Sequence, residues 1–173
     1  MNIAHRPTGA SLARHRSEQD VGTPDNFLRA VVKRFGPIAF DLAATAENDV
    51  AAAFFPPIAD SLIQDWTCRR GTLWLNPPFG NIAPWARKCR ESAATAHAFD
   101  RILLLVPASV GSRWFAQYIH GHAMVVALTG RLTFKGHTAP FPKDLILASF
   151  GEFRGFDTWA WRDNVLATDT NNT

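Results

Sequence analysis

Thr72-Leu73-Trp74-Leu75 runs directly into Asn76-Pro77-Pro78-Phe79-Gly80. The first four residues form a short apolar run, which reads as a buried strand. Two consecutive prolines then end it, because proline fixes φ and has no N–H to give to a ladder. A helix is predicted next, with Asn81 as its cap and Pro84 in its first turn, running to about Ala98. A strand that turns sharply into a helix is the opening unit of an α/β fold.

The flanking sequence repeats that unit. Downstream, Arg101–Val106 is apolar enough for a strand buried on both faces. Ser112 can cap a helix whose apolar positions are Trp114, Phe115, Tyr118 and Ile119, and Ala123–Leu128 reads as a fourth strand. After Gly130-Arg131, short strands at 132–134, 144–150 and 156–161 are expected as antiparallel closing strands. Upstream, Thr23 is a candidate N-cap with Pro24 at the first helical position. Phe27, Leu28, Val31, Val32 and Phe35 follow at helical spacing until Gly36-Pro37. Ile38–Ala44 reads as a strand with Asp41 near its end, and 45–66 is irregular apart from a short turn at Ser61-Leu62-Ile63. The whole is a mostly parallel sheet in one compact domain, 21–163, with a flexible basic arm at 1–20 and a flexible tail at 164–173. In such sheets ligands bind beyond the carboxyl ends of the strands, which puts Asp41, Asn76 and Pro107 on one rim.

Composition bounds the function. The 173 residues are 47% hydrophobic and 19% charged, with six Trp and 13 Phe, which excludes a disordered chain. No apolar run approaches the roughly 20 residues of a membrane span, and no apolar stretch follows the basic N-terminus, so a cytoplasmic protein is expected. Cys68 and Cys89 lack metal-ligand spacing, as do His97, His120, His122 and His137, so no metal is expected. A net charge of +3 permits a polyanionic partner without requiring one.

The Asn76-Pro77-Pro78-Phe79 stretch carries chemistry of its own. An exocyclic amine on a purine is a poor nucleophile, because its lone pair is conjugated into the ring. Two acceptors that bind its hydrogens favour the tetrahedral shape and the positive charge that develop on attack at a methyl sulfonium. The Asn76 side-chain oxygen and the Pro77 carbonyl are such acceptors, and the prolines hold them rigidly. Phe79 offers a flat face for a base, which has to leave a duplex to reach it. A plain Pro-Pro turn after a strand is the alternative.

Beyond this stretch the chain resembles the phage-type DNA N-6-adenine-methyltransferase (Dam-like) family over roughly residues 18–161. The matching blocks are Thr23-Pro24; Phe40-Asp41-Leu42-Ala43-Ala44-Thr45 with Asn48; Asp60-Ser61-Leu62; Asp65-Trp66; and Asn76-Pro77-Pro78-Phe79. Leu104–Ala108, Arg113-Trp114-Phe115 and Gly130–Phe134 follow in order. The resemblance implies a Rossmann-like S-adenosylmethionine-dependent methyltransferase fold and methyl transfer to the amino nitrogen of adenine in DNA. It implies that Thr23 and Pro24 lie near the methionine end of S-adenosylmethionine, and that Asp41, Ala43, Ala44 and Asn48 form the cofactor loop. Asp65 would accept from the adenosine amine with Trp66 beside the ring, and Asp60 would contact the ribose. The chain departs from most methyltransferases in having Ala43-Ala44 where a glycine-rich loop is usual, and the short 41–65 segment reduces a strand of larger relatives to a loop.

Arg113 and Arg131, each following a strand on the presumed active rim, are the candidate DNA contacts, whereas Arg69-Arg70 reads as a solvated turn. The alternative for Asp41, less favoured than the cofactor role, is to cap the turn after its strand. Two other functions remain open on the sequence: methylation of another planar amine (cytosine, an RNA base or a glutamine amide), and a non-catalytic DNA-binding module on the same fold. The oligomeric state is not legible.

Overall fold

The computed structural model describes residues 22–95 and 99–163; the expected arm at 1–20, the tail at 164–173 and the last turn of the helix expected to reach Ala98 lie outside them. Its frame is one six-stranded sheet. The strands are β1 (Ile38–Asp41), β2 (Gly71–Leu75), β3 (Phe99–Pro107), β4 (Met124–Leu128), β5 (Leu145–Phe150) and β6 (Gly155–Trp159), and their spatial order is β1-β2-β3-β5-β4-β6. The helices are α1 (Asp25–Phe35), α2 (Ala83–Thr95) and α3 (Arg113–Tyr118).

The sheet is mostly parallel, as expected of a Rossmann-like methyltransferase fold, but its closing strands differ from expectation. β1, β2 and β3 run parallel, and β4 and β6 are parallel to each other. Only β5 is antiparallel, and it sits inside the sheet between β3 and β4, not at an edge. The run expected as an antiparallel strand at 156–161 is β6, parallel to β4. Residues 132–134 form no strand. Leu132 and Phe134 are buried against the sheet face, so their alternation records packing and not a ladder.

Period-2 alternation along β3 divides the core. Ile102, Leu104 and Val106 face one side, where Ala86 and Cys89 of α2 and Phe115 of α3 cover them. Leu103 and Leu105 face the other, beneath Phe27, Ala30 and Val31 of α1. Both faces being covered explains why residues 102–107 of β3 are an unbroken apolar run. Phe27 is fully buried and meets Trp161 edge-on at 5.2 Å and Trp159 at 5.9 Å. Its truncation to alanine is worth about 3–5 kcal/mol.

The helix ends show how local rules were applied. Ser112 caps α3 as read, accepting from the Phe115 amide at 3.3 Å. The Gly36 amide closes α1 on the Val32 carbonyl at φ +89°, a conformation that favours glycine. Thr23, however, is not the cap of α1. Pro24 holds that position in an extended conformation, and Thr23 lies one residue before the cap. Likewise Asn81 stands ahead of the α2 cap, because the Ala86 amide already bonds the Ile82 carbonyl. The irregular 45–66 segment holds two 3₁₀ turns, Pro57–Ala59 and Ser61–Ile63. Its 53–55 stretch pairs alongside the end of β1 through one bridge, Asp41 with Phe54, so the reduced strand survives as a single rung.

Candidate active site

The parallel register of β1, β2 and β3 brings their carboxyl ends to one rim. There the turn after β2 and the connection after β1 enclose a cavity of about 250 Å³. Asn76, Pro77, Pro78 and Phe79 line it from the first element. Ala43, Ala44, Thr45, Asn48, Asp60 and Ser61 line it from the second. Phe55, Pro56 and Pro57 add apolar surface from the connection, and Trp85 adds more from the first turn of α2.

Asn76 is half-buried and is held from behind. Its amide nitrogen donates to the Thr23 hydroxyl at 3.3 Å, and Thr23 is buried. This contact ties the segment leading into α1 to the turn after β2. It accounts for the threonine better than a cap does, and its signal lies in tertiary placement, not local spacing. With its nitrogen turned to Thr23, the carboxamide presents oxygen as its other end. Phe79 packs edge-on against Phe141 at 5.3 Å and Phe134 at 6.0 Å. It also lines a second, more apolar cavity of about 210 Å³ bounded by Phe134, His137 and Phe141.

Asp41 is almost wholly buried and does not line the larger cavity. One carboxylate oxygen accepts from the Ala43 amide at 3.1 Å and the other from the Val50 amide at 3.3 Å. Asp41 therefore shapes the 42–50 loop that carries Ala43, Ala44 and Asn48. Burial pushes its pKa from 3.8 up to about 6, with the two amide bonds opposing and the charge of Asp49 adding to the rise. Asn48 in turn accepts from the Thr45 amide at 2.7 Å, closing the loop on itself.

Asp65 and Trp66 stand apart from the cavity lining. Asp65 is exposed, and its carboxylate accepts from the Thr67 amide at 2.8 Å and the Thr67 hydroxyl at 2.6 Å. Those two bonds hold its pKa below the usual carboxylate value. Trp66 is fully buried, and its indole N–H donates to the Ser61 carbonyl at 2.9 Å. Trp66 thus braces the second 3₁₀ turn from behind, while Asp65 holds the turn that follows it. Asp60, between the two turns, is exposed at the cavity and has φ +44°, the one non-glycine residue with positive φ among the described residues.

Arg113 and Arg131 are both exposed and line neither cavity. Arg131 pairs loosely with Asp144 at 3.6 Å. Arg69, read as a solvated turn, instead lies over the rings of Phe40 and Phe55 at 4.4 and 4.8 Å. Thr45 and Ser61 stood inside the matching blocks without a role of their own, and Pro56 and Trp85 were marked by no motif; only the fold brings the four together. Among the described residues no group of His, Cys, Asp or Glu is arranged to hold a metal ion, and no helix is long and apolar enough to cross a membrane.

Residues 12–152 match the family model described as DNA N-6-adenine-methyltransferase (Dam). The chain belongs to that family. A curated relative, the DNA N-6-adenine-methyltransferase of Escherichia phage T1, is 26% identical over 111 residues, covering 64% of this chain and 45% of that protein. The matched part of this family member therefore spans a little under half the length of that relative.

Proposed function

We propose that the chain transfers a methyl group from S-adenosylmethionine to the exocyclic amino nitrogen of adenine in DNA. The observation that carries this is the Asn76–Phe79 turn, delivered by a buried parallel strand onto the wall of a small-ligand cavity in a member of this family. The donor set fits the cofactor: apolar surfaces from Phe55, Pro56 and Trp85 suit a nucleoside, and Asp60 suits a ribose diol. Ala43, Ala44 and Asn48 complete that wall. S-adenosylmethionine supplies an electrophilic methyl group on a sulfonium.

The chain's part is to bind, orient and accept. The Asn76 oxygen and the Pro77 carbonyl take the two amine hydrogens and bias the nitrogen toward attack. Thr23 keeps the Asn76 carboxamide in the orientation this needs. Phe79, fixed by Phe134 and Phe141, stacks on an adenine that has left the helix and enters from the side of the second cavity. Asp41, Asp65 and Trp66 serve through the loops they hold. Arg113 and Arg131 lie on segments leaving β3 and β4 toward the same rim, where they meet backbone phosphates. The loose Arg131–Asp144 pair is readily exchanged for one.

The experiment is methyl transfer from labelled S-adenosylmethionine to DNA, followed by nucleoside analysis of the product. N6-methyladenine is expected with the wild type and none with Asn76→Ala. A methylated cytosine, or label only on RNA or protein, would replace adenine in DNA with another planar amine.

A further inference from the structure

Ser61 lines the cavity at the start of the second 3₁₀ turn and is only 5% exposed. Its backbone is well held. Its carbonyl accepts from the Trp66 indole at 2.9 Å and from the Gln64 amide at 3.1 Å. Its hydroxyl is buried and has no hydrogen-bond partner among the described residues. A buried hydroxyl without a partner weakens the fold, so a protein that keeps one at a cavity wall has a use for it. Asp60, the residue before it, is held at φ +44°, an uncommon conformation for a side-chain-bearing residue. The fold thus constrains both residues at the same corner of the cavity.

We propose that the Ser61 hydroxyl makes a specificity-determining hydrogen bond to the nucleoside half of the methyl donor; this rests on the cofactor reading above. The surroundings select that half. Phe55, Pro56 and Pro57 present apolar surface, which suits a purine ring and not a zwitterion. The Asp60 carboxylate would repel the α-carboxylate of a methionine moiety but accept from a ribose diol. A neutral hydroxyl beside them completes a nucleoside-binding corner, while Asn76 and Pro77 serve the methyl group from the other element.

The test is calorimetric titration of wild type, Ser61→Ala and Ser61→Thr with two probes, S-adenosylhomocysteine and 5′-methylthioadenosine, together with thermal unfolding of the ligand-free proteins. Ser61→Ala is expected to weaken both probes by about 3- to 10-fold, the range of one hydrogen bond. The ligand-free alanine variant is expected to melt at or slightly above the wild-type temperature, since it removes a polar group that has no partner. Ser61→Thr keeps the hydroxyl and is expected to bind within about 2-fold of wild type, a fraction of one such bond. Unchanged affinity in Ser61→Ala overturns the proposal. Weakening confined to S-adenosylhomocysteine overturns the nucleoside assignment. A ligand-free Ser61→Ala protein that melts several degrees lower overturns it too, because the hydroxyl then has a partner within the fold. A wild type that binds neither probe sinks the cofactor reading itself, which is a separate failure.

Discussion

The two walls of the larger cavity are built on opposite principles. The Asn76–Phe79 wall is short and contiguous, and it is stiffened covalently by two prolines and carried on β2, the strand next to the sheet edge. The wall from the β1 connection is assembled from scattered residues between Ala43 and Ser61. It has no regular element longer than a 3₁₀ turn. Its shape comes from non-covalent pins: Asp41 under the 42–50 loop, and Trp66 under the Ser61 turn. A wall that performs chemistry tolerates little positional error, whereas a wall that envelops a ligand needs only to be held at a few points. Substitutions in the first should therefore cost rate with little stability, and substitutions of the pins should cost stability first.

The sharpest separation is expected from Asn76→Ala. Loss of one of two acceptors for the developing charge should lower the methylation rate at least about 100-fold, with the melting temperature nearly unchanged. A large drop in melting temperature would erase the distinction between the walls. Trp66→Phe should do the reverse. It removes one of the two donors to the Ser61 carbonyl and leaves space where the buried indole was, which should cost about 1–3 kcal/mol in denaturant unfolding, with donor affinity falling in step.

The Asp41 pin carries a pH signature. Its folded pKa is about 6 against an ordinary value of 3.8, so the folded state holds the proton more tightly. The resulting stabilisation is complete below the unfolded pKa and is lost as pH rises through about 6. Relative to Asp41→Asn, the wild type should gain about 1 kcal/mol on going from pH 8 to pH 5, measured by paired denaturant curves. An absent or opposite trend would show that the carboxylate is not buried as described. The smallest expected effect crosses from the Asn76–Phe79 wall to the segment leading into α1. Thr23→Val keeps the shape and removes the acceptor for the Asn76 amide. It should slow methyl transfer about 3- to 10-fold, and add little further loss in an Asn76→Ala background.

The same contrast explains what could be read in advance. The place of Asn76–Phe79 at the end of a buried strand was legible because its prolines and its strand are contiguous in the chain. The parallel core strands were legible from their apolar runs, and Ser112 from its local cap geometry. Thr23 was read as a helix cap because cap preference is a local rule, whereas its hydrogen-bond partner, Asn76, lies 53 residues away. Leu132 and Phe134 mimicked a strand because burial by packing and burial by pairing leave the same period in sequence. Trp66 was read as lying beside the cofactor; its bond to the Ser61 carbonyl, which gives it a place under the cavity-lining turn, depends on how the connection folds and is not encoded in the Asp65-Trp66 pair itself.

The position of β5 has a consequence for how the molecule comes into being. β3 pairs with it from Ile102–Phe150 to Pro107–Leu145, and β4 and β6 reach β1, β2 and β3 only through it. The centre of the sheet is therefore completed by the fifth strand in chain order. Until that strand emerges, β3 and β4 have no common neighbour, and their apolar edges stand open. Such non-local closure slows folding and prolongs the exposure of unpaired strand edges. During synthesis the chain should thus gain its native sheet in one late step, and nascent chains ending before Leu145 should be those most in need of a chaperone.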